Sequence, residues 1–289
     1  MNQKFKYLLR SASRFFSPAI CTNCGGRNVA IADQKYIVTR LYECKECFLK
    51  FRHPSDDKKF NEDFYQEDYS QEDGITTDLP TNEELRNLIS GDFANSPKNV
   101  KGIVELWQSL FADLSSIKAV DYGCSWGYMS YQFKERGISV QSFEISKPRA
   151  NYGNKHLGLN IKSDVRELTP DNDLVYSSHV IEHVPSITDM IAEGKKLLKK
   201  DGLFIAESPN GSEGFRKKDP SGFHQGWGLV HPNYLSDSFY QHTFKNNPFL
   251  ITSTPFDFKE IKQWDGRSQV THRTDGGQLM VIAKPNSIL

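Results

Sequence analysis

The sequence of 289 residues predicts an α/β fold, a doubly wound and largely parallel sheet, with a small zinc ribbon in front of it. Three observations carry this expectation. From Ala119 onward, strand-like and helix-like patterns alternate, as they do when helices cover both faces of a parallel sheet. The first of these strands runs into a small-residue turn, Asp121-Tyr122-Gly123-Cys124-Ser125-Trp126-Gly127. Near the N-terminus, Cys21-Thr-Asn-Cys24 and Cys44-Lys-Glu-Cys47 are separated by 19 residues.

In chain order, residues 1–54 form the first unit. Residues 1–17 are basic and amphipathic, which predicts a short helix docked on the body or a frayed terminus, with a membrane-surface or partner-binding helix as the alternative. Each Cys-x-x-Cys pair predicts a turn that presents two thiolates to one metal, and four thiolates make a closed, structural zinc site. Tyr36, Val38, Leu41 and Tyr42 predict a hairpin between the pairs. Cys124, the fifth cysteine, reads as a small buried residue. Residues 55–99 read as a linker and cap, with Phe60, Phe64, Tyr65 and Tyr69 as packing or acceptor-lining aromatics.

Residues 100–289 form the main domain. Val100, Ile103, Val104, Trp107, Leu110, Phe111 and Leu114 recur at helical spacing. Strands are expected at 119–122, 140–143, 160–163, 174–177 and 203–206. A helix is expected over 186–198, stopped at Lys200-Asp201-Gly202, and another over 234–244. Two strand-like runs, 256–264 and 278–283, close the chain.

The turn after the first strand needs its glycines, on this reading, because a ligand must lie against the backbone there. The spacing of a dinucleotide fingerprint is absent. The stretch from Asp121 to Gly127 resembles motif I of the class I S-adenosylmethionine-dependent methyltransferases, Asp-x-Gly-x-Gly-x-Gly, with Ser125 in the middle glycine position. The resemblance covers about residues 100–285 and implies a Rossmann-like sheet with an antiparallel last strand. It implies cofactor contacts at Asp121, Gly123, Ser125 and Gly127. Glu144 ends the second strand, 21 residues after Gly123, where an acid can accept both ribose hydroxyls. Asp164 ends the third, where the family often places an acid near the adenine amino group.

Ser177-Ser178-His179-Val180-Ile181-Glu182-His183-Val184-Pro185 follows the fourth strand. As His-x-x-Glu-His it matches an inverted zinc-protease pattern, which needs both histidines on one helix face. Pro185 and the short span argue for a strand-to-loop site instead. The stretch resembles the His-Val-Leu-Glu-His-Val segment of small-molecule methyltransferases, with His179 and His183 facing cofactor or acceptor, or serving structure alone. Glu207-Ser208-Pro209-Asn210 opens into a Gly- and aromatic-rich stretch over 211–230 that suggests a mobile acceptor lid. His231-Pro-Asn-Tyr234-Leu-Ser236 resembles the His-x-x-Tyr-x-Ser segment of zinc-containing sugar methyltransferases, without the Tyr-x-Glu found around it there. His231 is the first candidate for a general base, with His179 and His183 as rivals, or it caps the following helix.

Composition narrows the function. Lys and Arg balance Asp and Glu at 36 each, so no global charge draws nucleic acid or anionic membrane. The balance is uneven: residues 1–54 hold ten basic and three acidic side chains, residues 55–73 two and eight. No run approaches the roughly 20 apolar residues of a membrane span. Lys4, Lys6, Arg10 and Arg14 interrupt any signal-peptide core. The cytoplasm is the expected compartment. The expected activity is methyl transfer from S-adenosylmethionine to a small polar acceptor. The N-terminal ribbon resembles that of sugar and surface-polysaccharide enzymes, which implies carbohydrate biosynthesis and a nucleotide- or lipid-linked sugar. The alternatives are an RNA-modifying methyltransferase, with the basic ribbon as RNA contact, and a cofactor-binding scaffold without activity.

Overall fold

Strand β4 (Lys118–Tyr122) forms because Ala119 and Val120 have no exposed face: they are 1% and 0% accessible. In the computed structural model, which describes residues 3–55 and 78–288, β4 lies near the middle of an eight-stranded sheet. On one side it pairs in parallel with β5 (Ser139–Phe143), and β5 with β6 (Ile161–Lys162). On the other it pairs with β7 (Asn172–Ser178), and β7 with β8 (Leu198–Pro209), again in parallel. The sheet is then extended by β12 (Gln278–Ala283), antiparallel to β8 and inserted before β10 (Phe249–Ser253). A short β11 (Gln269–Thr271) ends that edge, parallel to β10. The chain order reverses at β4, so the carboxyl ends of β4, β5 and β7 surround one crevice, the place where open α/β sheets bind ligands.

Helices α4 (Tyr128–Glu135), α5 (Lys147–Leu157) and α6 (Ile187–Leu197) follow β4, β5 and β7. Helix α3 (Lys101–Leu110) packs Trp107 on Phe133 with ring centroids 4.4 Å apart. Helix α2 (Asn82–Ser90) starts with a Thr81–Glu84 capping box, and Leu85 and Phe93 cover Trp126. Of the expected cap only residues 78–99 can be placed; Phe60, Phe64, Tyr65 and Tyr69 lie outside the described residues.

Two elements differ from expectation. Residues 256–264 are not a strand: α10 (Phe258–Gln263) occupies them, capped by Asp257, whose carboxylate accepts from Lys259 N at 2.8 Å. The penultimate long strand is β10, whose five residues are all buried. Helix α6 agrees with the helix expected over 186–198; Asn172 Nδ2 donates to the Leu197 carbonyl at 2.8 Å and β8 begins at once. The stretch over 211–230 is no open lid. It folds into α7 (Glu213–Lys218) and α8 (Pro220–Gln225) with Phe215, Phe223 and Trp227 buried.

The N-terminal unit is joined to the main domain rather than appended to it. Helix α1 (Gln3–Arg14) sets Tyr7 under the guanidinium of Arg52, 5.2 Å from the ring centre. Strands β1 (Val29–Lys35), β2 (Thr39–Cys44) and β3 (Lys50–His53) form an antiparallel meander. Tyr36 is its turn and not its strand, with positive φ at Tyr36 and Ile37. The four cysteines converge, with Sγ–Sγ distances of 3.6 Å for Cys21–Cys47 and 3.5 Å for Cys24–Cys44. That is too long for a disulfide and close to the about 3.8 Å edge of a tetrahedron with 2.3 Å zinc–sulfur bonds. After each pair the next residue, Gly25 or Phe48, takes a positive φ, which turns the backbone amides back toward the sulfurs.

The fourth strand of this sheet comes from the other end of the chain. Strand β9 (Asn233–Tyr234) pairs antiparallel with β3, Lys50 opposite Tyr234 and Phe51 opposite Asn233. Arg52, 1% exposed, donates to the carbonyls of Gly228 (2.8 Å) and Leu229 (2.7 Å). Asp33 accepts from Trp227 Nε1 at 2.8 Å, and Arg216 donates to Ala32 O at 2.8 Å. The ribbon therefore fixes the loop that leads into His231. Charge-assisted bonds of this kind are worth roughly 1.5–3 kcal/mol each. Arg52→Ala should cost several kcal/mol and raise hydrogen exchange over 226–232 while leaving β4 to β8 protected. Unchanged exchange in that loop would show that the ribbon does not hold it.

Candidate active site

The turn after β4 gives up side chains for contacts within the chain itself. Gly123 and Gly127 have φ of +84° and +82°, and a Cβ on Gly123 would sit 2.3 Å from Val180 Cγ2. One on Gly127 would sit 2.4 Å from Leu159 Cδ1. The sequence reading assigned these glycines to ligand approach. Left-handed backbone and the close packing of Val180, Leu159 and Ile161 already require them. Gly153 on α5 was missed for the same reason: its missing side chain lets the helix approach Trp126 O, 2.5 Å from where a Cβ would be. Cys124 is fully buried among Ala150 and Ile161, as expected of a small core residue.

Asp121, Ser125 and Glu144 are brought together. Ser125 N donates to Glu144 Oε2 (2.9 Å) and Ser146 N to Oε1 (2.8 Å). Among the described residues each oxygen of Glu144 thus keeps one further lone pair. Arg149, which the sequence reading overlooked, donates to Ser125 Oγ at 3.0 Å. Asp121 is 1% exposed; its Oδ2 accepts from Ser130 Oγ at 2.6 Å, while Oδ1 is buried without a hydrogen-bond partner among the described residues. Burial pushes the Asp121 carboxyl up to about 7, the Ser130 bond opposing and the charge of Glu144 adding. Burial also raises Glu144. Asp164 stands apart. It is bound by the Arg166 guanidinium (Nε to Oδ1, 2.9 Å), which holds it down to about 2.

A second cluster forms beyond β7. Residues 179–185 make a turn and not a helix, with His183 N donating to Val180 O at 2.9 Å, so the protease geometry is not built. Ile181 and Glu182 are fully buried. His179 is about half exposed, with positive φ, and its Nδ1 lies 3.3 Å from Glu182 Oε1. Burial alone would lower His179, but the Glu182 carboxylate outweighs it and the net direction is up. His231 lies with its ring centre 4.9 Å from that of His183. Burial first, then His183, pushes His231 down to about 4. His231 does not cap the next helix: α9 (Asp237–Thr243) is capped by Ser236, whose hydroxyl accepts from Phe239 N at 3.2 Å. Asn210 is structural, donating to Thr274 O and Gly276 O at 2.8 and 2.7 Å.

Glu182 is the residue the sequence reading quoted without using. A carboxylate between two histidines was visible in the His-x-x-Glu-His string, but its complete burial was not.

The sheet has the topology of a methyltransferase domain, with an acid pair at its carboxyl edge and a histidine cluster beside it. A family model described as a methyltransferase domain matches residues 97–251, more than half of the chain, and the chain belongs to that family. The ubiquinone biosynthesis O-methyltransferase of Pelagibacter ubique (strain HTCC1062) is 29% identical over 143 residues, 43% of this chain and 60% of that protein. The one from Rickettsia prowazekii (strain Madrid E) is 25% identical over 180 residues, 56% of this chain and 68% of its own length. Among solved structures, magnesium protoporphyrin IX methyltransferase from Synechocystis PCC 6803, with bound SAH, superposes with a TM-score of 0.50 at 16% identity. It covers 78% of this chain and 99% of that one, a likeness of fold. None of these relatives is a sugar methyltransferase, and the sugar resemblance gains no support.

The sign of the Asp121 effect can be checked in the ligand-free protein. Its carboxyl is raised from 3.8 to about 7 on folding, so between these values the unfolded chain ionises first and stability falls as pH rises. Above about 7 both states are ionised and the loss is complete. Thermal melts of Asp121→Asn should lack this decline between about pH 4 and 7; an unchanged pH profile would place the titration elsewhere.

Proposed function

We propose that the chain transfers a methyl group from S-adenosylmethionine to a hydroxyl of a small acceptor, in the cytoplasm. The observation that carries the cofactor is the pair Asp121 and Glu144. Glu144 holds two backbone donors and has two lone pairs left, which suits vicinal hydroxyls. The orphaned oxygen of Asp121 suits a cationic group. Ser125 and Gly127 shape the turn between them. Bound there, the cofactor supplies an electrophilic methyl carried on a cationic sulfur. Asp164, tied to Arg166, is left a peripheral role.

His179 is the better general base. Its Nδ1 faces Glu182, which leaves Nε2 on the half-exposed side to take the acceptor proton. His231, the first candidate from sequence, is a poor one: held near 4, it is neutral but weakly basic at pH 7. His183 donates Nδ1–H to Val230 O at 2.5 Å and is committed to structure on that side. A hydroxyl acceptor also agrees with the names of the two curated relatives, both O-methyltransferases; a sugar or polysaccharide precursor and an RNA have no comparable support. The four-cysteine cluster is read as a structural zinc site that holds the ribbon's turns.

Two variants test this reading. Glu144→Ala removes the charge-assisted acceptor and should weaken S-adenosylmethionine by about tenfold or more in calorimetry, each such bond being worth roughly 1.5–3 kcal/mol. Undiminished affinity would remove Glu144 from the cofactor site. His179→Gln should keep cofactor affinity and lower methyl transfer by roughly 10²–10⁴-fold with a phenolic acceptor series. Native turnover by a folded His179→Gln protein would end its role as base.

A further inference from the structure

The His179–Glu182 contact leaves much of the second cluster unexplained. Glu182 is 0% exposed, yet neither of its carboxylate oxygens has a hydrogen-bond partner among the described residues. A carboxylate buried that way needs a positive partner. Besides His179, two imidazoles face it, and both are fixed in the same tautomer. His183 Nδ1 donates to Val230 O at 2.5 Å, and His231 Nδ1 donates to Gly226 O at 3.0 Å. A carbonyl only accepts, so each Nδ1 carries a hydrogen. Nε2 is then the nitrogen through which each ring would bind a metal. His183 Nε2 lies 3.6 Å from Glu182 Oε1, and one ligand atom from each of Glu182, His183 and His231 lies within 4.8 Å of the other two. Three ligand atoms this close together can share one bound cation.

We infer that Glu182, His183 and His231 form a binding site for one divalent transition-metal ion, separate from the four-cysteine cluster. Two imidazole nitrogens and one carboxylate favour zinc, iron, cobalt or nickel over magnesium or calcium. Three protein ligands leave coordination positions for water or for an acceptor oxygen, as in catalytic metal sites. The carbonyls of Val230 and Gly226 orient the two rings as outer partners do around bound metals. Both belong to the loop that Arg52 clamps. This inference goes beyond the acid–base role of His179 and does not depend on it, since its test reads metal and not turnover.

The test uses the full-length protein with its cysteine cluster filled by zinc. Dialysis against buffered cobalt(II), with elemental analysis, should find one cobalt per chain in addition to the zinc. Its visible absorption should show nitrogen and oxygen ligation without thiolate charge transfer. Glu182→Gln and His231→Gln should each weaken cobalt binding more than about tenfold while the zinc stays bound. If Glu182→Gln does not fold, the partly exposed His231→Gln carries the comparison. Wild-type protein that binds no cobalt beyond the zinc overturns the proposal. So does cobalt found only as a thiolate complex, or cobalt bound as tightly by folded His231→Gln as by wild type.

Discussion

Asn233 is where the molecule is tied together. Its backbone amide donates to Glu182 O at 3.1 Å, and its side-chain amide donates to Val184 O at 2.8 Å. Its side-chain oxygen accepts from Thr22 at 3.3 Å, inside the first cysteine turn. Its strand partner is Phe51. One buried residue thus links the ribbon, the turn after β7 and the segment that starts at His231. Remove that link and Glu182 loses the frame that holds a carboxylate in a dry place. The ribbon and the main sheet share one apolar core, in which Cys21, Cys44, Leu49 and Phe51 pack with Phe239 and Ile251. The ribbon is a wall of the candidate site.

Two acidic centres divide the work on electrostatic grounds. Asp121 and Glu144 lie in a shell of backbone amides, hydroxyls and Arg149. Glu182 lies among histidines, with His179 on one side and His183 and His231 on the other. Burial raises Asp121 and Glu144, whereas the neighbouring histidines outweigh burial at Glu182 and lower it. The Gly123–Val180 contact joins the two centres, so the backbone of one turn is packed on the side chain of the other.

The sheet was legible because its signal is local: buried apolar runs, acids at their ends and small residues at the first turn. The cysteine cluster was legible because its spacing is its geometry. What escaped was set by distant contacts. Phe256–Trp264 has strand-like composition, but Asp257 caps it as a helix while Phe249–Ser253 takes the buried place in the sheet. The glycine-rich stretch over 211–230 reads as mobile until Arg52, Asp33 and Ala32 from the ribbon are set against it. Asp164 sits at the expected strand end, yet an arginine two residues on captures it. Glu182 could be read as a letter in a motif; its complete burial among three histidines depends on the whole fold.

The central claim is that one crevice holds the cofactor at Asp121 and Glu144 and presents it to the histidine cluster. A crystal structure of the full chain with S-adenosylhomocysteine tests it most directly. The account predicts both ribose hydroxyls on Glu144 and the sulfur turned toward the His179–Glu182 side of the crevice. A ligand held elsewhere on the sheet edge, or one with its sulfur turned away from His179, would contradict it.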